Sequence, residues 1–368
     1  MRAICKRETL IKNIGVVQRA VSSRSTLPIL NNIFLETKDG RMRAVATDLE
    51  IGIETQFEAN VLAEGTITVP AKYLLEIIRR LPSEEIEIAV EKGSQIHITS
   101  GKAHFTINGL PAEEFPALPE IKDGQKLPIA PKDLRRLIEE TSFVCSKDET
   151  TRPELSGILL IVLPEKMQAV GTDGSRLALV EIEGPTGQSA KQEVLIPGRA
   201  LEEVLRIMGE GDEEGMDVLV GPNQVEFHLP SKKLVTRKIQ SKFPNWEVVI
   251  PKEFQMTFLV ETKRLQDSLE RCSLLARLVN HRLQLTSQEN KISLKVTVPE
   301  VGSAEEELEW AQGTGDMDLS INCRYLIEGL RNIKTEHAFF GFTGKERPLV
   351  IKPSDEKGYL YLAMPLRI

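Results

Sequence analysis

The stretch QAVGTDGSRLALVE, residues 168–181, brings glycines, a carboxylate, a hydroxyl and an arginine close together, which are the ingredients of a phosphate loop or an activated nucleophile. A phosphate loop needs G-x-x-x-x-G-K-[ST], or G-x-G-x-x-G between a strand and a helix. This stretch has neither, and it runs on as RLALVE, in the alternation of a strand. A nucleophile elbow needs glycine two residues either side of its serine, but Ser175 is followed by Arg176 and Leu177. The simpler expectation is a hairpin turn at Asp173 and Gly174, where glycine accepts a positive φ.

The elements that must carry this turn recur along the chain. RAVATDLEIGIE, residues 43–54, matches it through Ala44/Ala169, Val45/Val170, Thr47/Thr172 and Asp48/Asp173, although the first copy lacks the glycine. PAKYLLEIIRRL from Pro70, PGRALEEVLRIM from Pro197 and NCRYLIEGLRNI from Asn322 align without a gap. Leucine-type residues four and three apart give each of them one apolar helical face. A further helix is expected in RETLIKNIGVVQRAV, PKDLRRLIEETSFV and TKRLQDSLERCSLL, each with a capping-type or proline-led start. Short alternating runs such as EIEIAV, QIHITS, HFTING, KISLKVTV and YLYLAM read as strands. The expected fold class is α+β, a unit used three times over residues 1–120, 121–251 and 252–368, with each helix pair packed on one side of its own sheet.

Composition narrows the function. The chain has 368 residues, 41% hydrophobic and 27% charged, and no apolar run long enough to span a bilayer. Its start, MRAICKRETL, lacks the apolar core of a secretory signal, so a cytoplasmic location is expected. Cys5, Cys145, Cys272 and Cys323 form no C-x-x-C pair and the histidines show no ligand spacing, so neither a metal nor another cofactor is expected. No acid, base and nucleophile recur together in the three copies.

What does recur is positive charge on helices, although the net charge is -7. Arg79, Arg206 and Arg331 share one aligned column, beside Lys72, Arg80, Arg199, Arg324 and Lys334. The other helices add Lys12, Arg19, Arg24, Arg135, Arg136, Lys263, Arg264, Arg271 and Arg277. Acidic residues cluster in PSEEIEI, GEGDEEG and SAEEELE, read as loops or outer strands. Spaced bases on repeated helices suit a phosphate backbone without base reading. On residues alone, a three-repeat hydrolase or transferase and a protein-only scaffold remain alternatives.

The three repeats, TDGSRLA, FPNWEVVIP and the terminal YLAMPLRI together resemble the bacterial DNA sliding clamps, the beta subunits of the replicative polymerase. The resemblance implies a homodimeric ring of six similar domains that encircles duplex DNA without sequence specificity and has no catalytic site. It implies DNA-facing roles for Arg24, Arg79, Arg80, Arg135, Arg199, Arg206, Lys263 and Arg331. It implies a dimer joint between edge strands, Lys102, His104, Phe105 and Ile107 in GKAHFTING against Leu274 and Leu275 in RCSLLARLV. It implies a cleft for short peptides of the polymerase III alpha subunit, the clamp loader, other polymerases and repair proteins. The second repeat would give that cleft Leu155, Thr172, Gly174, Ser175, Arg176 and Leu177. Pro244 and Val249 would follow from FPNWEVV, and Leu362, Met364, Pro365, Leu366 and Arg367 from the C-terminus. Ser175, where many relatives carry histidine, and the less basic NWEVV stretch imply a peptide preference of this chain's own.

Overall fold

A computed structural model describes residues 1–22, 27–90, 93–209, 215–288, 290–355 and 357–366. Among these residues the α-helices are α1 (Arg7–Val17), α2 (Ala71–Arg80), α3 (Pro131–Glu139), α4 (Gly198–Ile207), α5 (Thr262–Ala276) and α6 (Cys323–Leu330). They fall on the six segments with helical periodicity. The buried side chains trace one face of each helix, such as Leu10, Ile14 and Val17 in α1 and Leu265, Leu269 and Cys272 in α5. Their starts follow the expectation in part. Pro131 opens α3, where a missing N–H is harmless, and the Asn322 side chain accepts from Arg324 N at 3.0 Å at the start of α6. The residues before α1 and α5, Lys6 and Glu261, make no side-chain cap.

The sheets correct the expectation of one sheet per repeat. The chain packs as two compact units, residues 1–132 with 200–238, and residues 133–199 with 239–368. In the first, an eight-stranded antiparallel sheet runs in the order Gln125–Leu127, Asp217–Val220, Gln224–Leu229, Lys232–Arg237, Ile51–Glu58, Arg41–Thr47, Asn32–Lys38, Gly65–Pro70. Strands of the middle repeat thus continue the sheet of the first, with Val235 opposite Gly52. In the second unit a nine-stranded sheet joins the rest of the middle repeat to the third, through Arg176–Glu183 beside Tyr359–Ala363, with Leu177 opposite Leu362. The physical reason is that a repeat of this size leaves a bare strand edge, which the neighbouring repeat can satisfy. Which residues face the core is then fixed by register, because a shift of one residue would turn every side chain over.

Two smaller sheets complete the units. The first has five strands, in the order Asn60–Ala63, Arg2–Lys6, Glu85–Val90, Gln95–Ser100, Ala103–Asn108. The other has four, in the order Gly302–Glu309, Lys291–Val298, Arg282–Gln288, Met317–Asn322. In the second unit α6 lies against the strand Tyr359–Ala363: a β-carbon on Gly329 would run into the Tyr361 ring, and Tyr359 Oη donates to Gly329 O at 3.0 Å. Glycine is required there for close approach.

The four cysteines are free, and burial pushes the Cys5 and Cys323 thiols up to about 12 and Cys272 to about 11, so these three are inert near neutral pH. Among the described residues no helix is long and apolar enough to cross a membrane.

A candidate binding cleft and the charged helices

The hairpin between Lys166–Thr172 and Arg176–Glu183 is built on Thr172 and Asp173 more than on the glycine. Thr172 Oγ1 donates to Arg176 O at 2.6 Å and accepts from Gly174 N at 3.1 Å. Asp173 Oδ1 accepts from Ser175 N and Arg176 N at 2.9 and 3.0 Å. Gly174 alone in the turn takes a positive φ, +90°. Thr47 and Asp48 make the same four hydrogen bonds in the first repeat, with Leu49 held at φ +77° in place of glycine. The side chains that saturate the turn therefore specify it, and glycine only relieves strain.

Arg176 is almost buried, its side chain 9% exposed, and every arm of the guanidinium is engaged. Nε donates to Asp173 Oδ2 at 3.0 Å, Nη2 to Phe143 O at 2.9 Å, and Nη1 meets the Glu328 carboxylate of α6. The guanidinium also lies 4.6 Å from the Tyr325 ring centre. Burial works against the Arg176 charge, but Tyr361, Glu328 and Asp173 outweigh it and raise the pKa. Of these, Tyr361 is kept protonated by its own burial, so near neutrality the carboxylates supply the field. Burial likewise opposes the Glu328 charge, and hydrogen bonds from Arg324 and Arg176 overcome it and hold this carboxyl below its ordinary value. Arg176 thus fixes the turn to α6, and little of it is free for a ligand.

Beside the turn lies a cavity of about 280 Å³. Leu155, Leu177 and Leu362 are buried and form its floor, continuous with a core cluster that includes Val170, Phe243 and Val350. Thr172, Gly174, Ser175 and Arg176 form one side, Pro244 and Val249 another, and Met364 the rim. Met364 is 37% exposed and is tied to the turn by its backbone N–H, which donates to Ser175 O at 2.8 Å. Ten of the expected cleft residues therefore converge.

The rest of that expectation divides. Pro365 does not line this cavity, and Leu366, whose N–H donates to Ser320 O at 2.7 Å, lines a different groove beside Leu278. Arg367 lies outside the described residues. The lining also includes Arg152, Asn245, Trp246 and Pro348, which the sequence reading missed. Trp246, a large aromatic two residues from Pro244, was the legible signal, and it packs on the core cluster.

The helix bases are placed on exposed faces but are largely paired along their own helices. Arg80 lies 3.9 Å from Glu76, Arg135 3.7 Å from Glu139, and Lys263 2.5 Å from Asp267. Arg206 meets Glu202 at 3.2 Å and Glu203 at 2.5 Å. Arg79, Arg199 and Arg331 are exposed, Arg331 one residue beyond the end of α6. Arg24 lies outside the described residues, as does most of GEGDEEG. Arg271, counted among the helix bases, reaches Glu306 at 2.7 Å.

Of the expected joint, Lys102 adjoins and His104, Phe105 and Ile107 occupy Ala103–Asn108, the outermost strand of the five-stranded sheet, with Phe105 41% exposed. Leu274 and Leu275 are not on an edge strand; they belong to the last turns of α5, where the spacing of Leu265, Leu269 and Cys272 holds the segment helical. The outermost strand of the four-stranded sheet is Gly302–Glu309, with Glu305, Glu306, Glu307 and Glu309 on it.

Comparison with known proteins accounts for nearly the whole chain. Family models described as the DNA polymerase III beta subunit match in series, the N-terminal domain at residues 1–119, the central domain at 128–245 and the C-terminal domain at 247–367. The beta sliding clamp of Synechocystis is 33% identical over 391 residues, covering all of both chains. The solved DNA polymerase sliding clamp of Bacillus subtilis superposes with a TM-score of 0.93 at 29% identity, over 100% of this chain and 99% of that one. The beta subunit from the DNA polymerase of Streptococcus pyogenes gives 0.92 at 28% identity, over all of both.

Proposed function

Because the chain belongs to the DNA polymerase III beta subunit family, the bacterial sliding clamps, and is like them a noncatalytic processivity factor, we propose that its cleft is where partner proteins are held while the dimer encircles duplex DNA. The observation that carries the proposal is the convergence of ten residues, from the middle repeat, its linker and the C-terminus, on one cavity with an apolar floor and one polar side. Such a site takes a short peptide by one or two apolar anchors, with backbone groups at the rim for register. The polymerase III alpha subunit, the clamp loader, other polymerases and repair proteins are its proposed ligands, and the cytoplasm is where it acts on the chromosome.

The charged helices support a loose hold on DNA. Bases already paired with acids one turn away attract phosphates weakly, so retention comes from encirclement and the protein stays mobile. We take residues 1–120, 121–251 and 252–368 as the repeated domains, six in a dimeric ring, joined edge to edge. At that joint the strand Ala103–Asn108 is proposed to meet Gly302–Glu309 of the other copy, with Lys102 and His104 facing the glutamates and Leu274 and Leu275 of α5 beside it.

The test is release from DNA. Protein loaded on closed circular duplex should stay through gel filtration and leave when the circle is cut, and equal loss from both forms would refute encirclement. Deleting residues 364–368 should abolish binding of a peptide copied from the polymerase III alpha subunit's tail while leaving a dimer; undiminished binding would refute the cleft.

A further inference from the structure

The first unit contains the same junction as the second, element for element. Arg237 N donates to Glu50 O at 3.1 Å, as Met364 N donates to Ser175 O at 2.8 Å. Val235 stands opposite Gly52 as Leu362 stands opposite Leu177. The Thr47 and Asp48 turn repeats the Thr172 and Asp173 turn bond for bond. Downstream, Phe115-Pro116-Ala117-Leu118 runs as Phe243-Pro244-Asn245-Trp246 does. A cavity of about 210 Å³ occupies the corresponding place, bounded by Leu49, Gly52, Pro116, Leu118, Val235 and Arg237.

Differences at three positions change what this place can hold. Gly52 has no side chain where Leu177 supplies the floor, and a β-carbon there would collide with Leu118 Cδ2. Leu118 therefore enters from the linker and rests on the bare strand, filling volume that Leu177 fills from below. Across the mouth Glu50 and Arg237 form an ion pair at 3.5 Å, where the counterpart positions hold the uncharged Ser175 and Met364.

We propose that the first unit carries a second copy of the peptide cleft, kept shut by the chain's own linker, with Leu118 as its occupant and the Glu50–Arg237 pair as its cover. The proposal rests on reading the open cavity as a peptide site. The ligand class is the same, an extended peptide that inserts one leucine-sized side chain. The consequence is one partner per chain, although the fold builds the frame of a site twice.

Calorimetric titration with a peptide copied from the polymerase III alpha subunit's tail tests it on the full-length dimer. The Leu118→Ala/Glu50→Ala variant should bind one more peptide per chain than the wild type, two in place of one. With residues 364–368 also deleted it should keep one, where the truncated wild type keeps none. Gly52→Leu, which rebuilds the floor and expels an intact Leu118, should give the same gain, and circular dichroism establishes that each variant is folded. No gain in either folded variant overturns the proposal. Failure of the wild type to bind any peptide would instead count against the open cleft, and the gain on opening would still be read against that baseline.

Discussion

Arg176 and Glu328 form an ion pair across 152 residues of sequence, with side-chain exposures of only 9% and 15%. Removing one partner leaves the other with a single charged neighbour, Arg324 for Glu328 or Asp173 for Arg176, and loses a charged hydrogen bond that contributes about 1.5–3 kcal/mol. Arg176→Ala is expected to lower the melting temperature by several degrees and to lose peptide binding with it. Arg176→Lys should not restore either, because an ammonium cannot span Asp173, Phe143 O and Glu328 together. A melting temperature equal to wild type would show that the pair does not hold the turn.

The same pair sets an acid limb. Glu328 is lowered in the folded protein, so its contribution is present above the ordinary carboxylate value of 4.5 and is lost as pH falls through the lowered folded value. Glu328→Gln should be less stable than wild type at neutral pH, and the difference should shrink steadily below pH 4.5. Melting curves at stepped pH check this, and a difference that widens in acid would contradict the sign.

Acid partners on the helices should restrain DNA contact. Asp267→Ala and Glu76→Ala remove the carboxylates beside Lys263 and Arg80, and both are expected to strengthen binding to linear duplex and steepen its salt dependence by up to about one unit per freed base. Fluorescence anisotropy over a salt series reads the slope. Weaker binding than wild type would place these helices away from DNA.

Charge at the proposed joint should govern dimer strength. Lys295 lies 3.5 Å from Glu305 and Lys291 3.2 Å from Glu307 within the chain, so the edge strand is only partly neutralised. Glu309→Lys is expected to shift sedimentation toward monomer at low salt, with partial rescue by Lys102→Glu in the other copy. An unshifted profile would exclude Gly302–Glu309 from the joint.

The helices were legible because periodicity and aligned columns are local, and the open cleft became legible once family resemblance joined Leu155 to Met364. Strand partnership was not. Nothing near Arg176 in sequence names Tyr359–Ala363 as the neighbour of its strand, and hydrogen bonding between distant edges leaves no mark on local composition. The Arg176–Glu328 contact was hidden for the same reason, although Glu328 stood in a repeated column with Glu76 and Glu203. The edge-strand placement of Leu274 and Leu275 gave way to a helical one, because the apolar spacing of Leu265, Leu269 and Cys272 continues through them.

The ladders between repeats also decide how such a molecule can be pried apart. Separating Lys232–Arg237 from Ile51–Glu58, or Arg176–Glu183 from Tyr359–Ala363, means breaking five facing residue pairs within a sheet whose core side chains interlock on both sides of the seam. In the ring proposed for the dimer, a tool that admits DNA therefore meets fracture resistance along these ladders, and the proposed joint between two polypeptides is the seam left to part.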